Sequence, residues 1–290
     1  MQPSLAAASI LVAFALSTAA CGDARARDEW ARRCPASPGA RLELVNVNGA
    51  IAAEATDGAE IELVARREAS AGSESAARER LAELEMRETA SESSVRVEVV
   101  HPTSIGRGNV EVSWTLRVPA GVDVDLRNEN GHVSVRGLSG ALKIRTTNGA
   151  IQGVALATQT VSAKTVNGGV ELAFAQPLTG AGRVVVESVN GAVEVALPAA
   201  SRVSLRASVL NGSVRAEGLE LARKGTASRT RLEGTLGGGG TPLRLETTNG
   251  SALIRNASAA RAPQKAEPAP SAAPAVPQHP ERVADGGVSV

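Results

Sequence analysis

The segment VDLRNENGHVSVRGLSGALKIRTTNG, residues 124–149, contains two copies of one pattern, in which alternating apolar and polar residues lead to an Asn-Gly pair. The same pair ends similar segments elsewhere in the chain. The seven pairs are Asn48-Gly49, Asn130-Gly131, Asn148-Gly149, Asn167-Gly168, Asn190-Gly191, Asn211-Gly212 and Asn249-Gly250. From Asn130 the steps are 18, 19, 23 and 21 residues, then 38, which is two periods of 19. A period of about 20 residues indicates a repeat architecture.

Each repeat has the period-two alternation of a strand with one buried face. The apolar positions lie six and four residues before the asparagine and three and five after it, so the inward side changes parity across Asn-Gly. A corner explains this change, because glycine adopts positive φ at little steric cost. Around Asn190 the pattern predicts four buried valines and two exposed glutamates: Val184, Val186, Val193, Val195, Glu187 and Glu194.

Two all-β architectures fit a strand, Asn-Gly, strand unit. In a hairpin sheet Asn-Gly forms a type I′ turn and its flanking strands pair with each other. In a β-solenoid each strand pairs with its equivalent one coil away, at about 4.8 Å. The repeated asparagine favours the solenoid, as does the small residue two positions earlier, because inward Thr, Ser and Asn would form hydrogen-bonded ladders. Those small residues are Asn46, Asn128, Thr146, Thr165, Ser188, Val209 and Thr247.

Length and composition favour one elongated domain. The chain has 290 residues, a net charge of +1, only two Trp and two Phe, and no Tyr. A narrow solenoid interior is filled by aliphatic residues, and the balanced charge provides no general field for nucleic acid. We expect the β-solenoid domain at 41–256, with one helix inserted near 72–88, where Ser73 or Ser75 can cap and Glu74 suits the first turn.

The first 20 residues resemble an export signal. They carry no charged side chain and include the apolar run ILVAFAL at 10–16, which is too short for a stable membrane span. Small residues before Cys21 resemble a bacterial lipobox, so we expect Cys21 to be lipidated and to anchor the protein in the cell envelope. Because Gly22 is not Asp, the outer membrane is the better expectation in a Gram-negative cell. The alternative is an ordinary secretory signal that leaves a periplasmic or secreted protein.

Outside the domain the sequence predicts little structure. Residues 21–40 are expected to form a polar tether, and 257–290 a disordered Ala/Pro-rich tail. Cys34 is the only cysteine besides Cys21. If Cys21 is acylated, Cys34 is unpaired or bonds another molecule. If it is not, Cys21 and Cys34 could close a short disulfide loop.

Several motifs occur in a fixed order along this domain. They are Pro119-Ala120-Gly121-Val122, Asn130-Gly131, the Gly137-Leu138-Ser139-Gly140 turn, Asn148-Gly149 and the later GGGGTPLRLETTNGSALIR. In this order they resemble the DUF4097 family of candidate adhesins. The resemblance covers roughly residues 41–256. The resemblance implies a right-handed β-solenoid related to GIN-type bacterial surface domains, and it implies no catalytic residues.

The residues themselves predict no catalytic site, metal site or cofactor. Asp123 and Asp125 are the only close pair of aspartates in the repeats, and their outward positions predict a solvated strand face. The histidines, His101, His132 and His279, have no ligand spacing and are expected to be exposed. A polysaccharide-active β-helix enzyme is therefore the least favoured function.

One outward column is basic. Arg127, Arg145 and Lys164 occupy the third position before successive asparagines, with Lys143 beside them. If the coils stack in order, these four side chains form a stripe that could bind an acidic surface glycan, unless Glu129 and Glu171 neutralise it. The sequence thus favours a non-enzymatic envelope protein that acts as an adhesin or binds a glycan or envelope protein. The alternative is an accessory or sensory protein of an envelope-stress system.

Overall fold

The computed structural model describes residues 24–37, 39–101, 110–225 and 228–259, which form an all-β, solenoid-like body with one α-helix. The strands are β1 Ala24–Pro35, β2 Arg41–Val45, β3 Ile51–Thr56, β4 Glu60–Ala71, β5 Glu85–Ser91, β6 Ser94–Val100, β7 Val110–Pro119, β8 Asp123–Asn130, β9 Val133–Arg136, β10 Leu142–Asn148, β11 Ile151–Leu156, β12 Val161–Asn167, β13 Val170–Phe174, β14 Val184–Asn190, β15 Val193–Leu197, β16 Val203–Glu217, β17 Ala222–Arg223, β18 Arg231–Leu236 and β19 Thr241–Asn256. The helix α1 spans Glu74–Ala82, and a 3-10 turn at Ala257–Ala259 follows β19.

The strands form two stacks whose inward faces share one hydrophobic core. The first stack runs β5-β6-β2-β8-β10-β12-β14-β19-β16-β18-β17. The second runs β1-β4-β7-β3-β9-β11-β13-β15-β19-β16. The repeat strands pair in parallel, whereas β5, β18 and β17 in the first stack and β1 and β4 in the second pair antiparallel at the ends. The hairpin alternative is wrong, because β10 pairs in parallel with β8 and β12.

The last repeat is inserted out of sequence order. Strand β19 lies between β14 and β16 in the first stack and between β15 and β16 in the second. Strand β16, which precedes β19 in the chain, therefore forms the coil beyond it. Both strands are long enough to run through the corner, so they join the two stacks at this end of the molecule.

Alternation buries the side of each strand that the pattern predicts. Val184, Val186, Val193 and Val195 are each 0% exposed. Glu187 and Glu194 point outward but are only half-exposed, because each forms an ion pair, with Lys164 and Arg255 respectively. Removing aliphatic surface from water supplies the main stabilisation of such a core.

Each Asn-Gly pair lies at the corner between the two stacks, and the glycine is required because neighbouring coils touch there. A Cβ atom on Gly149 would lie 2.0 Å from the carbonyl oxygen of Gly131, and one on Gly168 would lie 2.1 Å from that of Gly149. Gly131 also has a φ of +136°, where other residues are strained. The corner thus selects glycine through close approach of the backbone as well as through φ.

Two sets of polar side chains bridge the coils at this corner. The seven asparagines form a ladder in the order 48, 130, 148, 167, 190, 249, 211, and each amide nitrogen donates to the preceding Oδ1 at 2.7–2.9 Å. This ladder lies at the surface rather than in the interior. Inside the corner the hydroxyls of Thr165, Ser188 and Thr247 each donate to a glycine carbonyl of the previous coil at 2.9 Å. These bonds account for the small hydroxylic residue two positions before the asparagine.

The expected tether at 21–40 is wrong for its described part. Residues 24–35 form β1, which pairs along its whole length with β4. Ala26 and Cys34 are buried, and the ring of Trp30 meets Trp114 edge to face with centroids 5.7 Å apart. The sequence of this strand looks polar because charged residues on it form salt bridges with β4. For example, Asp28 on β1 and Arg67 on β4 lie 2.5 Å apart. The segment therefore closes the edge of β4 as an ordered strand.

The helix expected at 72–88 is shorter. Ser73 caps α1 by accepting a hydrogen bond from the amide of Ala76, and Ala77 and Leu81 are buried. The helix ends at Ala82, after which β5 pairs antiparallel with β6. The open edge of β6 offers backbone partners that a longer helix would leave unused, so residues 85–88 are strand.

Several predictions lie outside the described residues. These are the signal segment 1–20, the lipidated Cys21, the neighbouring Gly22, residues 260–290 of the expected tail, and His279.

Candidate functional site

The basic stripe lies on the outward face of the first stack. Arg145 on β10 is directly paired with Arg127 on β8 and with Lys164 on β12, and Lys143 is two residues before Arg145. Residues two apart on a strand point to the same side. The four residues predicted for this stripe therefore share one face of three consecutive coils.

Three of the four cations are held by carboxylates. Arg127 lies 3.2 Å from Glu43 and 3.3 Å from Asp125, and Lys143 lies 3.0 Å from Asp125. Lys164 lies 2.8 Å from Glu187. Arg145 is exposed and forms no ion pair within the described part of the chain. The stripe is thus a partly neutralised charge array with an open guanidinium at its centre.

One of the two expected counter-charges, Glu171, lies away from the stripe. Glu171 lies on the second stack, where it faces Arg255 at 3.8 Å. The carboxylates that relieve the stripe are Glu43, Asp125 and Glu187, which sit beside the cations in the first stack. The register explains the choice, because Glu43, Asp125 and Lys143 occupy one row across β2, β8 and β10.

Asp125 corrects the expectation of a solvated strand face. Although it points outward, its side chain is only 2% exposed, because Arg41, Arg127 and Lys143 fold over it. Arg41 and Lys143 approach Oδ2 at 2.9 and 3.0 Å. Asp123 is exposed, and its Oδ1 accepts from the amide of Ala141 at 2.7 Å.

The charges around Asp125 set its protonation. Burial by itself would raise the pKa of the Asp125 carboxyl, but hydrogen bonds and positive charge from Lys143 and Arg127 outweigh burial and hold this pKa below its ordinary value. Asp125 therefore stays ionised and fixes the cations above it. This charged cluster around Asp125 could have been predicted from the sequence. The prediction requires treating Glu43, Asp125 and Lys143, which occupy one row across the coils, as neighbours.

The described residues contain no group of three or more His, Cys, Asp or Glu that could hold a metal ion. His132 is exposed, as expected, and partial burial of its ring lowers its pKa. His101 is half-buried rather than exposed. Among the described helices, none is long and apolar enough to cross a membrane.

Cys34 is a buried free thiol in β1. Burial, and then the nearby charge of Glu88, raise its pKa, while Arg32 acts in the opposite direction. A thiol held in its protonated form is a poor nucleophile, so its surroundings do not suit catalysis.

A known family matches more than half of this chain. The sequence model of the Toastrack DUF4097 family matches residues 84–255. The chain belongs to this family, as its Pro-Ala-Gly-Val turn and Asn-Gly repeats predicted. No curated protein matches the sequence.

Two solved structures are similar over most of their length. One is described as a candidate cell adhesion protein from Clostridium sporogenes ATCC 15579, with 12% identity and a TM-score of 0.39 over 78% of this chain and 98% of that one. The other is a candidate adhesin from Bacteroides fragilis NCTC 9343, with 9% identity and a TM-score of 0.27 over 79% of this chain and 96% of that one.

Proposed function

We propose that this protein is a non-enzymatic, lipid-anchored binding module of the bacterial cell envelope that holds an acidic surface glycan on the outward face of its first stack. The proposal rests on one observation: Arg127, Arg145 and Lys164 stand in register on consecutive parallel strands, with Arg145 exposed and without an ion pair in the described chain.

The spacing of this array suits an extended polymer. Neighbouring strands lie about 4.8 Å apart, so the array presents long cationic side chains at a fixed interval along the solenoid. Arg145 can bind an anionic group without breaking an existing pair. Lys164 is 43% exposed and can exchange Glu187 for a ligand, because such exposed pairs contribute only about 0–1 kcal/mol.

The second stack provides a natural contrast. Its outward row beyond β7 carries Ala52, Ser134 and Gln152 on consecutive coils, which are small or neutral. An anionic ligand therefore has a reason to choose the first stack. We include in the proposal the right-handed winding implied by the family resemblance, which is also the usual hand of parallel crossover connections.

Envelope anchoring is the second part of the proposal. The small residues before Cys21 support lipidation there, and Gly22 supports delivery to the outer membrane in a Gram-negative cell. Cys21→Ser should move the full-length protein from the membrane fraction to the soluble fraction. Unchanged partitioning would instead favour an ordinary secretory signal and a periplasmic or secreted protein.

The glycan proposal is tested by removing the accessible cations of the stripe. Arg145→Ser with Lys164→Ser should weaken retention on immobilised polygalacturonate and dextran sulfate, with neutral dextran as the reference. Retention of the unaltered protein should fall steeply with added salt, because the Debye screening length shortens to about 8 Å at physiological ionic strength.

A matched control removes the same charge from the other face. Arg117 and Arg136 are exposed on the second stack, both opposite Glu54 in the register. Arg117→Ser with Arg136→Ser should leave retention nearly unchanged. Equal losses of retention in the two double variants would show that only the net charge of the protein matters. Retention that is independent of salt and unchanged in both double variants would end the proposal.

A further inference from the structure

A second basic feature lies beyond the stripe, at the end of the first stack where β19, β16, β18 and β17 meet. It is a cleft of about 400 Å³. Strand β14, of the neighbouring coil, lies on one side of the cleft, and the short antiparallel strands β18 and β17 lie on the other side. The sequence pattern could not reveal this cleft, because it depends on the insertion of β19 between β14 and β16.

Short side chains make the floor of the cleft. Pro242, Ser204 and Thr235 stand side by side on β19, β16 and β18, and Gly234 precedes Thr235 on β18. A row of short residues beside the row of Arg206, Arg244 and Glu233 leaves a depression in the sheet surface. The depression is therefore a consequence of register and side-chain length, so it is fixed by the backbone.

Long cations form the rim. Arg183, Arg206, Lys224 and Arg244 line the cleft with a single carboxylate, that of Glu233. Arg206 and Arg244 are direct neighbours on paired strands, which is an unfavourable placement for like charges. The four cations against one carboxylate leave an excess of three positive charges on the lining residues.

Existing partners do not use all of this charge. Arg206 lies 3.3 Å from Glu233, and Arg244 lies 2.6 Å from Glu246 just outside the cleft. Arg183 and Lys224 are exposed and make no ion pair with any described residue. A hydrogen bond from Arg231, together with Arg206 and Lys224, lowers the pKa of Glu233 despite an opposing effect of burial.

We propose that this cleft binds a phosphate group. Guanidinium forks bind phosphate oxygens through paired hydrogen bonds, and a lysine adds a compact charge. A phosphate dianion matches the excess positive charge better than a single carboxylate. A depression with cations on its rim suits a compact group, in contrast to the extended stripe proposed for a polymer. The phosphate is free inorganic phosphate or a monoester on a sugar, and both present the same oxygens to the rim.

Calorimetric titration of the full-length protein tests this site, with inorganic phosphate as the probe and acetate at matched ionic strength as the reference. We expect saturable phosphate binding that acetate does not reproduce. Arg183→Gln with Lys224→Gln should weaken it at least about tenfold, since two charge-assisted contacts are lost. Both side chains are exposed and lack ion pairs, and the charge of Lys224 acts on Glu233 only through space, so the melting temperature without ligand should change little.

Three comparisons complete the test. Arg117→Gln with Arg136→Gln removes the same charge from the second stack and should keep phosphate binding. Arg145→Ser with Lys164→Ser should also keep it, which separates this site from the glycan stripe. Tighter binding of glucose 6-phosphate than of inorganic phosphate, with no binding of glucose, would identify the ligand as a sugar monoester. Equal binding of glucose 6-phosphate and inorganic phosphate would identify the ligand as free phosphate. Binding that acetate matches, or that survives the loss of Arg183 and Lys224, overturns the proposal.

Discussion

At the scale of single residues, the corner of each coil depends on the absence of a side chain at one position and on a hydroxyl at another. The carbonyl of Gly149 illustrates both requirements. It accepts a hydrogen bond from Thr165 at 2.9 Å, and it lies where a Cβ on Gly168 would clash. A hydrogen-bonded carbonyl in a crowded position cannot move away from a larger residue without breaking its bond. Glycine and the small hydroxylic residue are thus coupled across neighbouring coils.

Gly149→Ala tests this steric requirement. The new Cβ would lie 2.0 Å from the carbonyl oxygen of Gly131, so the coils must separate locally. We expect a loss of about 2–4 kcal/mol in the free energy of unfolding, measured by denaturant titration. Gly121→Ala is the control, because a Cβ at Gly121 has nothing within 4 Å. A near-zero change at Gly149 would mean that the coils are not in contact there.

The buried carboxylate of Asp125 gives a second prediction at this scale. Asp125→Asn leaves Arg41, Arg127 and Lys143 close together without their shared counter-charge. We expect the variant to be about 1–3 kcal/mol less stable at pH 7. The control is Asp57→Asn, an exposed aspartate in the turn between β3 and β4, which should change the stability little.

The pH dependence follows from the lowered pKa of Asp125. A carboxyl with a depressed folded pKa stabilises the fold above its unfolded pKa of about 3.9, and this contribution is lost as the pH falls through the folded value. The stability gap between the unaltered protein and Asp125→Asn should therefore narrow below about pH 4. A gap that stays constant down to pH 2 would show that Asp125 does not titrate as its surroundings imply.

At the scale of elements, the sequence predicted the strands of the repeats but not their neighbours. Alternation shows which side of a strand is buried, and the Asn-Gly pair shows where the strand turns. Parallel pairing in register presents the same rows of side chains to any adjacent repeat, so the pattern cannot distinguish one neighbour from another. For this reason the place of β19 between β14 and β16 could not be deduced, and neither could the cleft that it helps to form.

Strand β1 was missed for a different reason. Half of its twelve residues are charged, and ion pairs such as Arg25–Glu68 hold some of them on the outer surface. The inward side of the strand combines Ala26, Trp30 and Cys34 with two charged residues, Asp28 and Arg32, which pair with Arg67 and Glu88. Hydrophobic periodicity is weak there, while the pairing with β4 is extensive. The burial of Asp125 was missed for a similar reason, because cations and not apolar neighbours cover its side chain.

Removing β1 provides the prediction at this scale. A chain that begins at residue 41 should be less stable and more prone to aggregate than one that begins at residue 24, because it exposes the long edge of β4 and one face of Trp114. Thermal melting and light scattering measure the two effects. If both chains melt alike and stay monomeric, the segment is dispensable and its pairing with β4 contributes little.

At the scale of the whole molecule, the proposed binding features lie on one stack. The outward face of the first stack contains the stripe, the Asp125 centre and the phosphate cleft, whereas the exposed cations Arg117 and Arg136 of the second stack stand opposite Glu54. The rigid backbone keeps these features in fixed order along one side. Two anionic groups on one ligand could then be held at once, which raises the affinity without additional contacts at either place.

The last prediction concerns how stability is distributed along the solenoid. In stacked repeats each coil is stabilised by its immediate neighbours, so a terminal coil opens more easily than a central one. Strand β12 is paired on both sides, with β10 and β14, while residues Arg215–Glu217 of β16 pair only with β19 in the described chain. Native-state hydrogen exchange should therefore be slow in β12 and much faster at Arg215–Glu217. Gly212→Ala, at the contact between β16 and β19, should accelerate exchange in the terminal coil and leave β12 unchanged. Equal protection of both strands, or an equal response to this substitution, would show that the solenoid opens only as one cooperative unit.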